Sequence, residues 1–347
     1  MIAQSKNIQS KILDIKYGRI KQGLKLDIPE IDEHLRYKQG NFNLVIGHAN
    51  SGKSTIMIYL FVLWAIKHNL KFLIWSSENT PQSIVRKIIE FKMGLPITEA
   101  TDQQINTAVS WCDHHFKIID VEDLYTYKQL IKEAQQIKDA WSYDCLLIDP
   151  YNSLSKDPTL QKLVGNSHDY DYQVASEFRL LAKKQNITLY LNAHGVTSAM
   201  RSIHTNGEYQ GLPKPLGMAD VEGGGKWGNR ADDALCIHRY STHPTDWMYS
   251  NISILKVKEN ETGGRPTSFD APINWIVLIF LLLVAFVFLL IGHSKDGEII
   301  ISPIKGIMFG FLYHKEEYLE ENEFTLQCLL GIISVNVIWK KPPNGLK

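Results

Sequence analysis

The chain has 347 residues, 44% of them hydrophobic and 21% charged, which is enough apolar mass for a large core and excludes a disordered protein. Its 37 Lys and Arg balance 37 Asp and Glu, so no overall field marks it for nucleic acid, although a local basic stripe inside a ring remains compatible. Cys112, Cys145, Cys236 and Cys328 are scattered without CxxC or metal spacing and read as reduced, mostly packed thiols of a cytosolic protein.

The first 22 residues are polar and lack the apolar stretch of a secretory signal. A core is expected from 23 to 272. Its first strand is NLVIG at 43–47, followed by a glycine-bounded loop and a long apolar helix at 54–68. KFLIWSS at 71–77 reads as a second strand, with a helix after it to about Lys92. FKIIDV at 116–121 reads as a strand, 124–139 as a helix, DCLLIDP at 144–150 as a strand and 172–185 as a helix. ITLYLNA at 187–193 is the fifth strand. Residues 195–229 are rich in Gly and Pro without periodicity and read as a long functional loop region, with two more strands at 234–240 and 252–258. Nearly all-apolar strands alternating with helices predict an α/β fold, a mainly parallel sheet flanked by helices.

Gly47, His48, Ala49, Asn50, Ser51, Gly52, Lys53, Ser54 and Thr55 match GxxxxGK[ST] between a strand and a helix. In that context loop N–H groups wrap the β-phosphate of ATP, Lys53 neutralises β/γ charge and Ser54 holds Mg²⁺. Asp149 ends an apolar strand, where its carboxylate can share Mg²⁺ with Ser54. Glu78 follows the second strand at the edge where open parallel sheets bind ligands. It reads either as the base that polarises water or as a helix N-terminal acid. His194 follows the fifth strand at the same edge, where it reads as a γ-phosphate contact or as a structural histidine.

The succession of P-loop, SSEN, LLIDP, LNAHG, ADVEGGGKWGNRADD and LKVKENETGG resembles the motif order of DnaB-like, RecA-fold hexameric replicative helicases, particularly phage-encoded ones. That resemblance implies a ring-forming, DNA-stimulated ATPase translocating on single-stranded DNA, with Glu78 as catalytic base and His194 as γ-phosphate sensor. It further implies that Lys256 and Lys258 reach the ATP of a neighbouring subunit. The family usually carries Arg where this chain has Lys258, so Arg239 or Arg265 stand as alternative fingers. Arg201, Lys214, Lys226 and Arg230 match the family's DNA-facing loops. A RecA-type DNA-dependent ATPase without unwinding, or a membrane-anchored P-loop ATPase, are the alternative readings.

Residues 273–292 (INWIVLIFLLLVAFVFLLIG) contain no charge, and about 20 apolar residues span a bilayer, so length predicts a C-terminal transmembrane helix. In the tail at 293–347 a second membrane segment is expected at 324–339, with Lys340 and Lys341 flanking it. These expectations attach a cytoplasmic ATPase core to a membrane. An in-frame fusion of an unrelated membrane segment to a shortened core accounts for the same abrupt junction.

Overall fold

A computed structural model describes residues 5–120, 125–267, 273–274, 297–317 and 322–341. In chain order its elements are α1 (Ser5–Lys16), α2 (Pro29–His34), β1 (Phe42–Gly47), α3 (Lys53–His68), β2 (Phe72–Ser76), α4 (Pro81–Met93) and α5 (Asp102–His115). There follow β3 (Phe116–Ile119), α6 (Tyr127–Ala140), β4 (Cys145–Asp149), α7 (Pro158–Val164), α8 (Ser167–Gln185) and β5 (Thr188–His194). The chain continues through α9 (Lys226–Arg230), β6 (Asp233–His238), β7 (Asn251–Val257), β8 (Ile273–Asn274), β9 (Gly297–Glu317) and β10 (Asn322–Lys341). Two compact units result: 1–84 with 113–273, and 85–112 with 274–347.

The first unit is built on a sheet ordered β3-β2-β4-β5-β1-β6-β7-β8, with Ile273 of β8 at its far edge. β1 lies parallel between β5 and β6, and β4 pairs parallel with β2 and β5. Every residue of β1, β2 and β4 is buried, as strands covered on both faces must be. Alternation sends Leu44, Leu146, Leu189 and Leu191 into one core with Leu130 of α6 and Val174 and Phe178 of α8. Tyr190 points the other way and meets Phe61 of α3 edge-on at 5.5 Å, and Phe61 stacks on Phe72 at 4.5 Å. Helix ends follow local chemistry. Thr126 and Gln129 form a reciprocal capping box at the start of α6, and Asn69 and Asn186 adopt left-handed conformations after α3 and α8.

β7 is antiparallel to β6, so Asn251 pairs with His238 and Val257 with Asp233. This reversal carries the chain from the edge where β1 ends to the edge where β1 begins. Residues 195–229, expected as one irregular loop, contain bridges Gly195↔Val221 and Ile203↔Pro213 and the short helix α9. Helix α5 was not anticipated from the sequence.

The membrane expectation is corrected. Among the described residues no helix is long and apolar enough to cross a membrane. The segment 324–339, expected as a second membrane segment, lies inside β10, which pairs antiparallel with β9 from Asn322↔Glu317 to Trp339↔Gly297. The 273–292 run begins as β8, and its residues 275–292 lie outside the described residues. The transmembrane helix, the membrane attachment that rested on it and the membrane-like tail joined to the helicase resemblance therefore find no support among the described residues. Apolar length alone does not separate helix from strand, and β-branched Thr325, Ile332, Ile333, Val335, Val337 and Ile338 favour the pleated surface. The three free cysteines described, Cys112, Cys145 and Cys236, are buried.

Candidate functional site

Four parallel strands end together at one edge. Gly47 of β1 is level with His194 of β5, and Ser76 of β2 is level with Asp149 of β4. This register puts the motif residues within reach of each other although up to 147 positions separate them in the chain.

The loop after β1 is shaped by backbone conformations that few side chains tolerate. Gly52, the N-cap of α3, has φ +91°, and Asn50 has φ +58°. A Cβ at Gly47 would collide with the Ile237 carbonyl and stand 2.7 Å from Ser51 Oγ, so the strand exit admits only glycine. Ser51 is 3% exposed, and its hydroxyl meets no hydrogen-bond partner in the described structure. A buried orphan hydroxyl inside a turn of left-handed residues, at the N-terminus of a sixteen-residue helix, suits an anion of phosphate type.

Lys53 folds back over this loop. Its Nζ donates to the carbonyls of Gly47 and His48, both at 3.0 Å, and lies 3.3 Å from His194 Nδ1. Burial lowers its pKa, while the Asp149 and Glu78 carboxylates pull the other way. A lysine donor at Nδ1 requires that nitrogen to accept, which leaves the proton on Nε2. His194 Nε2 then donates to Glu78 Oε1 at 3.3 Å. Lys53, His194 and Glu78 thus form one continuous chain across the strand ends, from the buried loop to a half-exposed carboxylate.

Asp149 is 3% exposed and accepts from Asn192 Nδ2 at 2.7 Å and from the Ser54 hydroxyl. Burial raises its pKa against the lowering effect of these bonds. A hydroxyl and a carboxylate meeting at a buried strand end form an all-oxygen donor set, which fits a hard cation such as Mg²⁺. Sequence reading missed Asn192. Its position two residues before His194 on β5 places it on the same strand face, which was the available signal. His48 Nε2 bonds the Lys214 carbonyl at 3.0 Å, tying the loop to the segment after His194.

The structure does not gather the four basic residues expected on DNA-facing loops into one patch of unpaired charge. Arg201 and Lys214 are exposed. Lys226 is ion-paired with Asp169 at 3.2 Å, and Arg230 lies over the Tyr172 ring at 4.0 Å, which binds both to α8.

The residues expected to act between subunits sit elsewhere. Lys256 and Lys258 lie at the edge where β6 begins, the far side of the sheet from Gly47. Lys256 Nζ donates to Gly228 and Ala231 carbonyls, both at 2.7 Å, and Lys258 Nζ pairs with Asp232 at 3.1 Å. Of the alternatives, Arg239 is held by the Trp247 carbonyl and Arg265 by Glu33.

No protein-family model and no curated protein matches this sequence. Among solved structures, the "ATPase Domain of G40P" is similar with a TM-score of 0.60 and 11% identity, over 79% of this chain and 95% of that one. A structure titled for a DnaB-like replicative helicase and its interactions with primase is similar with a TM-score of 0.59 and 12% identity. There the match covers 79% of this chain and 64% of that one, so the chain spans less than two thirds of its length. Likeness at this level of identity shows architecture, and the fold is RecA-like α/β, with a mixed, mainly parallel sheet.

Proposed function

We propose that this protein is a Mg²⁺-dependent ATP hydrolase that acts as a ring-forming, DNA-stimulated helicase on single-stranded DNA. The observation that carries this reading is the Lys53–His194–Glu78 chain beside the Ser54–Asp149 pair. In this reading the phosphates of ATP settle on the N–H groups of residues 47–55 and displace Lys53 from the two carbonyls it now holds. Ser54 and Asp149 hold Mg²⁺, which neutralises charge on the phosphate oxygens. Glu78 orients a water and takes its proton as the water oxygen attacks the γ-phosphorus. The bond from that phosphorus to the bridging oxygen breaks, and ADP leaves with the bonding pair. His194, hydrogen-bonded to both Lys53 and Glu78, senses loss of the γ-phosphate and transmits it along the segment that begins at Gly195.

Lys256 and Lys258 are assigned to the nucleotide of a second copy. Strands of this sheet rise about 3.3 Å per residue, so a six-residue strand holds the two edges roughly 17 Å apart. That span keeps these lysines from their own chain's loop. Hexameric assembly and strand contacts through Arg201, Lys214, Lys226 and Arg230 belong to the same proposal. ATP turnover measured with and without single-stranded DNA, alongside native mass spectrometry, tests it. Stimulated turnover by a ring, abolished in Glu78→Gln, is the expected result. Robust hydrolysis by a strict monomer indifferent to DNA would falsify the ring reading. A ring or filament that hydrolyses ATP on DNA yet leaves forked duplexes intact would favour a RecA-type ATPase.

A further inference from the structure

The edge opposite the loop holds a charge arrangement that the sequence motifs do not include. Asp232 is 5% exposed, its Oδ2 accepts the Phe42 N–H at 3.1 Å, and its Oδ1 receives two cations. One is Lys258 Nζ at 3.1 Å, and the other is Arg179 Nη2 of α8 at 2.7 Å. The adjacent Asp233 does not relieve the imbalance, because its carboxylate is engaged by Lys38 Nζ at 3.2 Å and by the Lys258 backbone N–H. Lys256 stands close enough that Lys258 and Arg179 both help to lower its pKa, behind the larger effect of burial. Two cations on one carboxylate oxygen leave a positive charge that an incoming anion would complete. The Arg179 side chain is 20% exposed and bonds Asp232 through Nη2, so its guanidinium keeps donor capacity beyond that ion pair.

We propose that Arg179 supplies, from α8, the guanidinium that the Lys256–Lys258 segment lacks, and that it acts with Lys258 on the triphosphate bound to a second copy of this chain. The inference rests on the ring-forming reading above. Asp232 is then a positioning residue, holding both cations level until the phosphate oxygens take over as their anion. A lysine offers one point charge, whereas a guanidinium offers a planar fork that can span two phosphate oxygens. A half-site that divides these roles between Lys258 and Arg179 retains the fork despite lysine at the motif position.

Subunit mixing with the full-length chain tests this. Arg179→Ala lacks only the outer half-site, and Glu78→Gln lacks only the loop-edge base. In a mixed ring, the loop edge of the first can face the intact outer edge of the second and restore a complete site. We expect Arg179→Ala alone to lose at least about tenfold in DNA-stimulated kcat with KM nearly unchanged. Mixing it with Glu78→Gln should exceed the sum of the separate activities, and placing both changes in one chain should not. Lys258→Ala mixed with Glu78→Gln is the companion. A gain in the Lys258 mixture without one in the Arg179 mixture overturns the role of Arg179 and leaves the ring reading standing. No gain in either mixture overturns both. Arg179→Lys keeps the ion pair with Asp232 and guards against misfolding of the alanine variant. Wild-type turnover in that variant would overturn the requirement for a guanidinium.

Discussion

The two edges of the central sheet solve a similar electrostatic problem in different ways. At the loop edge, Lys53 is 6% exposed, donates to backbone carbonyls and lies 3.3 Å from the His194 ring. At the opposite edge, Arg179 and the partly exposed Lys258 converge on one buried carboxylate. The first arrangement is held largely by local chain geometry, since Asn50 and Gly52 adopt left-handed conformations within the loop itself. The second depends on α8, β6 and the end of β7 docking in register. A loop with an inward lysine is preorganised for an anion within the chain, whereas the second pair of cations already shares a buried carboxylate of its own chain.

The sharpest way to break this contrast is Lys53→Ala. Removing the only lysine of the loop is expected to lower ATP turnover by roughly a thousandfold, about 4 kcal/mol of transition-state stabilisation. Steady-state kinetics with a DNA effector measure it, and turnover within tenfold of wild type would detach the loop from catalysis.

A pH titration of stability probes the loop edge without touching catalysis. His238, 3% exposed at the end of β6, is pushed down to about 4 by burial first and then by the nearby His48 and His204. Because its folded pKa lies below the ordinary histidine value, the unfolded chain binds the extra proton first. Stability is then complete above pH of about 6.5 and declines as pH falls toward about 4, by about 3 kcal/mol in total. Urea melts across this window should show that slope, and His238→Asn should flatten it.

Asp232→Asn addresses the other edge. The amide can still accept the Phe42 N–H, but Arg179 and Lys258 lose their shared anion. Discounting for the exposure of Lys258, about 2 kcal/mol of stability is expected to disappear. Chemical denaturation measures this, and an unchanged midpoint would mean that the cluster contributes nothing to the subunit's own stability. The smallest effect serves as a control at a residue outside both charged clusters. Thr126→Ala removes one half of the capping box of α6 and should cost about 1 kcal/mol with turnover unchanged.

Much of the loop edge was legible in the sequence because its signals are local. A glycine-bounded loop between an apolar strand and helix announces itself within nine residues, and Asp149, Glu78 and His194 each close an apolar strand. The parallel architecture followed from the same alternation of strands and helices. Strand ends can be read this way because a parallel sheet aligns the C-terminal ends of its strands, whatever the intervening chain does.

Other features were decided only by tertiary structure. Asn192 is one polar residue in an apolar strand until β5 docks beside β4 and turns its amide toward Asp149. Arg179 is an ordinary cation on an amphipathic helix until α8 brings it to the carboxylate that Lys258 also uses. The apolar segment at 324–339 reads from composition as a membrane segment, yet pairing with β9 makes it a strand. The sequence by itself determined the fold class and the loop, because their causes act between neighbours in the chain. Long-range register and hydrogen-bond pairing determined the rest, since a side chain's partner depends on which distant backbone is brought beside it.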